Sequence, residues 1–242
     1  MTSQDNSYPS LVSLSDIRFS WPRGPLVLDL KNLELIQGER VFMRGPSGSG
    51  KSTLLGLIAG VLTPDEGEVR VLGETLSGMS GARRDAIRAA HIGVIFQLFN
   101  LLPYLSLIEN VALPCRFSSM RRERALAASG SIEDEARRLL ARLGLDGSDI
   151  LKKPVRELSV GQQQRVAAAR ALIGGPELII ADEPTSALDD NMRDRFIALL
   201  AEEAEARGST LLFVSHDAAL AKRFTRQIDL AEINRVQLPE LM

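Results

Sequence analysis

The chain has 242 residues, 45% of them hydrophobic and 25% charged, with a formal net charge of −2. This length and composition suit one large globular domain, or a domain with a subdomain, around a sizeable core. The near-neutral balance excludes an overall basic field that would recruit nucleic acid.

Met1 to Ser10 are polar, lack the basic-then-apolar pattern of a secretion signal, and read as a flexible tail. Leu11 to Phe19 alternates apolar and polar residues, as a half-buried strand does. Trp21-Pro22-Arg23-Gly24-Pro25 is a turn. Leu26 to Leu30 and Leu33 to Ile36 read as two further strands, and Glu39 to Arg44 as a strand entering a Gly-rich loop. Ser52 to Ala59 follows as an apolar helix, closed by the turn Thr63 to Gly67 and a short strand Glu68 to Gly73. Val94-Ile95-Phe96 is another short strand, ending at Gln97. Residues 98–160 change character and read as a helical insertion. In it, Ile132, Ala136, Leu139, Leu140 and Leu143 fall at helical spacing behind Ser131, with Asp134 as a capping-box-like partner and Gly144 as the stop. The basic run Arg121-Arg122-Glu123-Arg124 reads as a solvated face or mobile loop. Cys115, the single cysteine, excludes an internal disulfide, suits a reducing compartment and reads as a small buried or interface residue. Leu178 to Ala181 and Thr210 to Val214 are continuous apolar runs, which suit parallel strands buried on both faces. No apolar run approaches the ~20 residues needed to cross a bilayer, so membrane association is expected only through a partner.

Gly45-Pro46-Ser47-Gly48-Ser49-Gly50-Lys51-Ser52 fits the phosphate-binding loop G-x-x-x-x-G-K-[ST]. Glycines let successive N–H groups turn inward around the phosphates. Lys51 can reach the outer phosphates as a point charge, and the Ser52 hydroxyl is placed to hold Mg²⁺, which prefers oxygen ligands. The strand before the loop and the helix after it supply the context the motif requires, with the anion at a helix N-terminus.

Asp182 and Glu183 end a strand, where open α/β sheets place ligand-binding groups. Behind a phosphate loop, Asp182 is expected to hold Mg²⁺, directly or through water, and Glu183 to polarise the attacking water. Gln97 ends another strand, and its neutral amide can coordinate the metal and report the γ-phosphate. His216 lies just past Phe213-Val214-Ser215 and is assigned to the site. His91 has no such context and reads as structural or surface.

Together with the signature Leu158-Ser159-Val160-Gly161-Gln162 and Ser186-Ala187-Leu188-Asp189, these motifs span about residues 11–217 in order. In that combination the chain resembles the nucleotide-binding subunit of an ABC transporter. The resemblance implies an α/β P-loop NTPase fold: a RecA-like core with a mostly parallel sheet, an N-terminal antiparallel β subdomain and a helical signature subdomain. Residues 11–242 would form one ABC ATPase domain: 11–97 and 161–230 for the β subdomain and core, 98–160 for the helical subdomain, 231–242 as an extension. It implies ATP and Mg²⁺ as cofactors, with nucleotide contacts from Gly45 through Thr53, Trp21 stacked on adenine (Phe19 competing), and Gln97. Ser52, Gln97 and Asp182 would hold the metal. Glu183 would be the general base, assisted by His216, Lys51 and Gln97. Two copies would pair head to tail, each closing the other's site with Ser159, Gly161 and Gln162, and with Asp189 at the seam. Val160 departs from the family's usual Gly; if that position needs φ > 0, a β-branched residue is strained there.

Phe96 to Val111 is similar to subunits of lipoprotein-release, macrolide-efflux and FtsE types. Leu101, Leu102, Tyr104 and Leu105 would help form a groove for a permease helix. The implied location is the cytoplasmic side of the plasma membrane, peripheral through the permease, with no nucleic-acid partner. The competing reading is a soluble ABC-type ATPase acting on nucleic acid or ribosomes; a single cassette without a coiled-coil insertion or basic patch speaks against it. A module that grips ATP without turning it over is a third reading, opposed by the presence of Glu183 and His216.

Overall fold

A computed structural model describes residues 10–186 and 188–236. In chain order, the elements begin with β1 (Ser10–Ser20), β2 (Leu26–Ile36), β3 (Arg40–Arg44), α1 (Lys51–Ile58), β4 (Glu66–Val71), β5 (Glu74–Thr75), α2 (Gly81–His91) and β6 (Ile92–Ile95). Five helices follow: α3 (Leu107–Ala112), α4 (Pro114–Phe117), α5 (Ser119–Ser129), α6 (Ile132–Arg142) and α7 (Ser148–Leu151). The chain then runs through α8 (Val160–Leu172), β7 (Leu178–Asp182), α9 (Asp190–Glu205), β8 (Thr210–Val214), β9 (Arg226–Asp229) and α10 (Leu230–Ile233).

Five strands form a parallel sheet in the order β6-β7-β8-β3-β9. Its residues alternate between two cores. Phe42, Ile179, Ala181, Leu211 and Phe213 face the cluster shared with α3, α6, α8 and α9. Val41, Met43, Leu178, Ile180, Leu212 and Val214 face a second cluster with α1 and the other sheet. Burial on both faces is why these strands read as unbroken apolar runs. Phe42, Phe213 and Phe224 pack as a three-ring group on one side, with centroids 5.1–6.4 Å apart.

The second sheet, β2-β1-β4-β5, is antiparallel. Here the sequence reading needs correction: residues 26–36 form one continuous strand, not two. Its inward residues switch phase at Lys31-Asn32, and β1 switches opposite them at Ser15-Asp16, so the β1–β2 register runs on unbroken between Ser13↔Glu34 and Ile17↔Leu30. Asp16 takes φ 50° there, and Gly67 of β4 lies so close that a Cβ would stand 2.3 Å from the Asp16 carbonyl oxygen. Ser10 belongs to β1 and not to a tail, while residues 1–9 lie outside the described part.

The basic run at 121–124 is the second correction. It lies on α5, and Arg121 is 1% exposed. Its Nη1 donates to the carbonyls of Ala171 and Ile173 and its Nε to Ala90, while burial pushes its pKa down to about 10. Arg124 donates to the Gly175 carbonyl and to Glu177, whose other oxygen lies 2.9 Å from His91 Nδ1. Although burial disfavours its charge, these partners bring Glu177 down to about 2. A larger ionic group ties α6 to α9 and the turn behind it: Arg138 and Arg207 hold the fully buried Glu135, and Arg138 and Arg142 hold Glu203. Ser131 caps α6 by accepting from the Asp134 amide at 3.0 Å, and the Asp134 carboxylate accepts from the Ser131 hydroxyl instead of from a backbone N–H, so only half of a capping box forms. Cys115 is a buried free cysteine whose thiol burial pushes up.

Candidate functional site

The site is built at the carboxyl ends of β3, β6, β7 and β8. Gly50 sits at φ 95°, in the left-handed region, and closes the loop into α1. A Cβ on Gly50 would stand 2.7 Å from Leu28 Cδ2, and one on Gly45 would stand 2.7 Å from Ser49 Oγ, so a side chain at either place would push on its neighbours, and at Gly50 it would also sit in the left-handed region. Neither a capping side chain nor an acidic residue occupies the first turn of α1. Its amides and dipole are left for an anion. Lys51 Nζ donates to the carbonyls of Gly45 at 2.7 Å and Pro46 at 2.9 Å, which holds the ammonium over the loop. Ser49 Oγ is buried without a hydrogen-bond partner among the described residues.

Asp182 is the last residue of β7, and its Oδ2 lies 3.4 Å from Ser52 Oγ. Burial, with Glu183 adding, raises the Asp182 carboxyl, against smaller opposing effects of Ser52 and Lys51. Such a carboxylate gains from a nearby cation. Glu183 follows at φ 46°, a sparsely populated conformation for a residue with a side chain, of the kind that costs ~1–3 kcal/mol. Its amide donates to the Val214 carbonyl at 2.9 Å and its carboxylate accepts from Ser215 Oγ at 3.2 Å. His216 Nδ1 lies 3.0 Å from both carboxylate oxygens, with the ring largely exposed.

A cavity of about 630 Å³ joins these groups: its lining includes Trp21, the phosphate loop, Thr53, Gln97, Asp182, Glu183 and His216. The competing aromatic, Phe19, is 6% exposed and belongs to the core, packed edge-on against Trp21 at 5.2 Å. Trp21 is 48% exposed and is the ring that reaches the cavity.

The signature residues stand elsewhere. Ser159 caps α8 and Gln162 completes the box: the Ser159 hydroxyl accepts from the Gln162 amide at 3.3 Å, and the Gln162 side chain accepts from the Ser159 amide at 2.9 Å. The S-x-x-Q spacing carries that box, a local signal the sequence reading left unused. A Cβ on Gly161 would stand 3.0 Å from Leu188, so the signature turn abuts the 186–189 loop of its own chain, of which Ala187 lies outside the described residues. Asp189 caps α9 through the Met192 amide at 2.9 Å. The strain expected at Val160 is absent: it is the first residue of α8, has no positive φ and is 48% exposed.

A second groove, about 670 Å³, is also lined by residues the sequence reading missed, on α2, β6, α4 and α8, with Phe96 and Phe117 exposed along it. Leu101, Leu102, Tyr104 and Leu105 do not line it; Leu101 packs against the core and Tyr104 points to solvent. Helix α2 lends it Ala82, Ala86 and Ala89, which fall at helical spacing on one face, and has no buried residue.

The sequence model described as "ABC transporter" matches residues 28–186. The chain belongs to the ABC transporter family. It is 39% identical to the lipoprotein-releasing system ATP-binding protein LolD 2 of Rhodospirillum rubrum, over 92% of this chain and 94% of that one. It is 42% identical to LolD 1 of Caulobacter vibrioides, over 83% of this chain and 82% of that one. It is 41% identical to the macrolide export ATP-binding/permease protein MacB of Chromobacterium violaceum over 88% of this chain, which spans 32% of MacB. Among solved structures, a dimeric ATP-binding cassette in a post-hydrolysis state bound to ADP and Pi matches with TM-score 0.77 and 36% identity, covering 90% of this chain and 93% of that one. The chain is an ABC-type ATPase subunit: it binds ATP and hydrolyses it in the service of transport. No helix among the described residues is long and apolar enough to cross a membrane.

Proposed function

We propose that this ATPase subunit drives a membrane permease of the lipoprotein-release type, acting on lipoproteins or similarly lipophilic cargo from the cytoplasmic face of the membrane. The observation that supports this subgroup is the similarity to LolD proteins, 39% identical over 92% of this chain in one case and 42% over 83% in another. In this reading residues 98–160 form the helical subdomain between the two stretches of RecA-like core.

Each site residue then has a role its surroundings suit. Gly45 to Thr53 bind the phosphates, Lys51 reaching the outer ones, and Trp21 offers its face to adenine. Glu183 accepts the proton of the attacking water as that water closes on the γ-phosphate. Ser215 and His216 fix its carboxylate, and the exposed His216 ring faces the cavity to hold the water in line. Ser52 Oγ and Asp182 Oδ2 lie close together in the cavity that Gln97 also lines, and the three together make an oxygen donor set that would suit Mg²⁺. The ion, when bound, neutralises phosphate charge. A second copy would supply Ser159, Gly161 and Gln162 from across a head-to-tail dimer, with Asp189 at the seam. The 670 Å³ groove, with its exposed Phe96 and Phe117, would take an apolar segment of the permease.

The decisive variant is Glu183→Gln. Removing a general base slows the chemical step by ~10²–10⁴-fold, and the variant should bind ATP, cease turnover and accumulate as an ATP-bound dimer on gel filtration. Undiminished hydrolysis means Glu183 is not the base. Recovery of the native chain with ribosomes in place of a membrane complex sinks the transporter assignment.

A further inference from the structure

Five consecutive residues connect the nucleotide cavity to the second groove. Phe96 and Asn100 line the groove, Gln97 lines the nucleotide cavity, Leu98 points to solvent and Phe99 packs on the core. Phe99 and Asn100 both take left-handed backbone, at φ 58° and φ 50°, although neither is glycine. Two such residues in succession must be held in place by their surroundings. The hold comes from α8. Arg170 Nη1 donates to the Asn100 carbonyl at 2.6 Å and Nη2 to the Phe99 carbonyl at 2.5 Å. The guanidinium fork grips both carbonyls at once, each through its own nitrogen in a fixed plane. Burial lowers Arg170, which also lines the groove.

We propose that Arg170 is a positioning residue for ATP hydrolysis: by pinning the Phe99–Asn100 turn it fixes Gln97 in the nucleotide cavity. This rests on the proposed role of Gln97. It gives α8 two tasks, since Ser159 at its start and Arg170 near its end lie 11 residues apart on one rigid rod, ~16 Å in length.

The test is a double-mutant cycle on the full chain, read by ATP turnover and by emission of Trp21, the chain's only tryptophan, during ATP titration. Arg170→Ala should lower turnover about tenfold, the scale on which a released backbone strain shows itself. In a Gln97→Ala background the same change should add less than about twofold, because the residue it acts through is gone. Asn100→Gly should restore the Arg170→Ala variant, since glycine takes the left-handed conformation freely. Arg170→Lys, the gentler change if the alanine variant folds poorly, should fall between wild type and alanine and be restored in the same way. Independent, multiplying effects of Arg170 and Gln97, or no rescue by Asn100→Gly, overturn the inference and leave the proposed function standing. A native chain that neither shifts Trp21 emission with ATP nor hydrolyses it overturns the proposed function, and this inference with it.

Discussion

Two helix N-termini carry the two loop motifs of this chain, and they are finished in opposite ways. At α1 the capping position is Gly50 in a left-handed conformation, with no side chain on the first-turn amides. At α8 the capping position is Ser159, and a complete Ser159–Gln162 box satisfies two of the backbone donors from within. The first end is left open, so its donors serve a bound anion. The second is closed, so α8 holds its shape without a ligand. Closure does not silence Ser159. Its hydroxyl accepts from the Gln162 amide and keeps its own proton to donate, which suits a group presented to a phosphate on a second copy. In the proposed dimer one end would be a receptor and the other a pre-formed probe.

Lys51→Ala tests the open end most severely. Hydrogen bonds to charged groups contribute ~1.5–3 kcal/mol, so ATP affinity read by Trp21 emission should fall about 100-fold. Retained affinity would mean the loop amides alone hold the nucleotide. Gly50→Ala should follow. A left-handed alanine costs ~1–2 kcal/mol, and the added Cβ must displace Leu28 Cδ2, which stands 2.7 Å away. Urea unfolding should show a loss of ~1–3 kcal/mol, and ATP binding should weaken about tenfold as the loop relaxes. Unchanged binding would show that the loop tolerates a looser curl than the one observed.

The receptor end was legible in the sequence because it is local: Gly45 to Ser52 run in one stretch between a strand and a helix. That Asp182, Glu183 and His216 would gather around one cavity was legible because apolar runs announce buried parallel strands, and these residues lie at or just past the ends of such strands. What escaped depends on contacts remote in sequence. β2 looked like two strands because Lys31 and Asn32 interrupt its alternation; only the matching interruption in β1 keeps the pair in register. Arg121 looked solvated among its charged neighbours, and its burial depends on carbonyls of Ala90, Ala171 and Ile173. The hold of Arg170 on Phe99 and Asn100 spans about 70 residues and leaves no local pattern. The Ser159–Gln162 box, by contrast, was fully local and readable.

At the closed end, Ser159→Ala removes both the cap and the donor hydroxyl. Loss of an N-cap costs ~1 kcal/mol, and replacement by glycine only a few tenths. The pair of variants therefore separates helix from ligand. Alanine should reduce amide-exchange protection in the first turn of α8, while glycine should largely keep it; both should impair ATP-dependent dimerisation, and neither should change the Trp21 response of the monomer. Dimerisation that survives in the glycine variant would assign Ser159 to the helix alone.

Val160→Gly should have the smallest effect. The concern that valine is strained at this position does not hold, because Val160 is an ordinary first helical residue. What remains is a half-exposed side chain on the face that would meet the second copy. Surface substitutions away from special features stay within about ±0.5 kcal/mol, roughly a twofold change in an equilibrium. Turnover measured against chain concentration should shift by that much, through dimer affinity and not through the chemical step. A gain above about tenfold at saturating chain concentration would instead place Val160 in the closed site as an obstruction to hydrolysis.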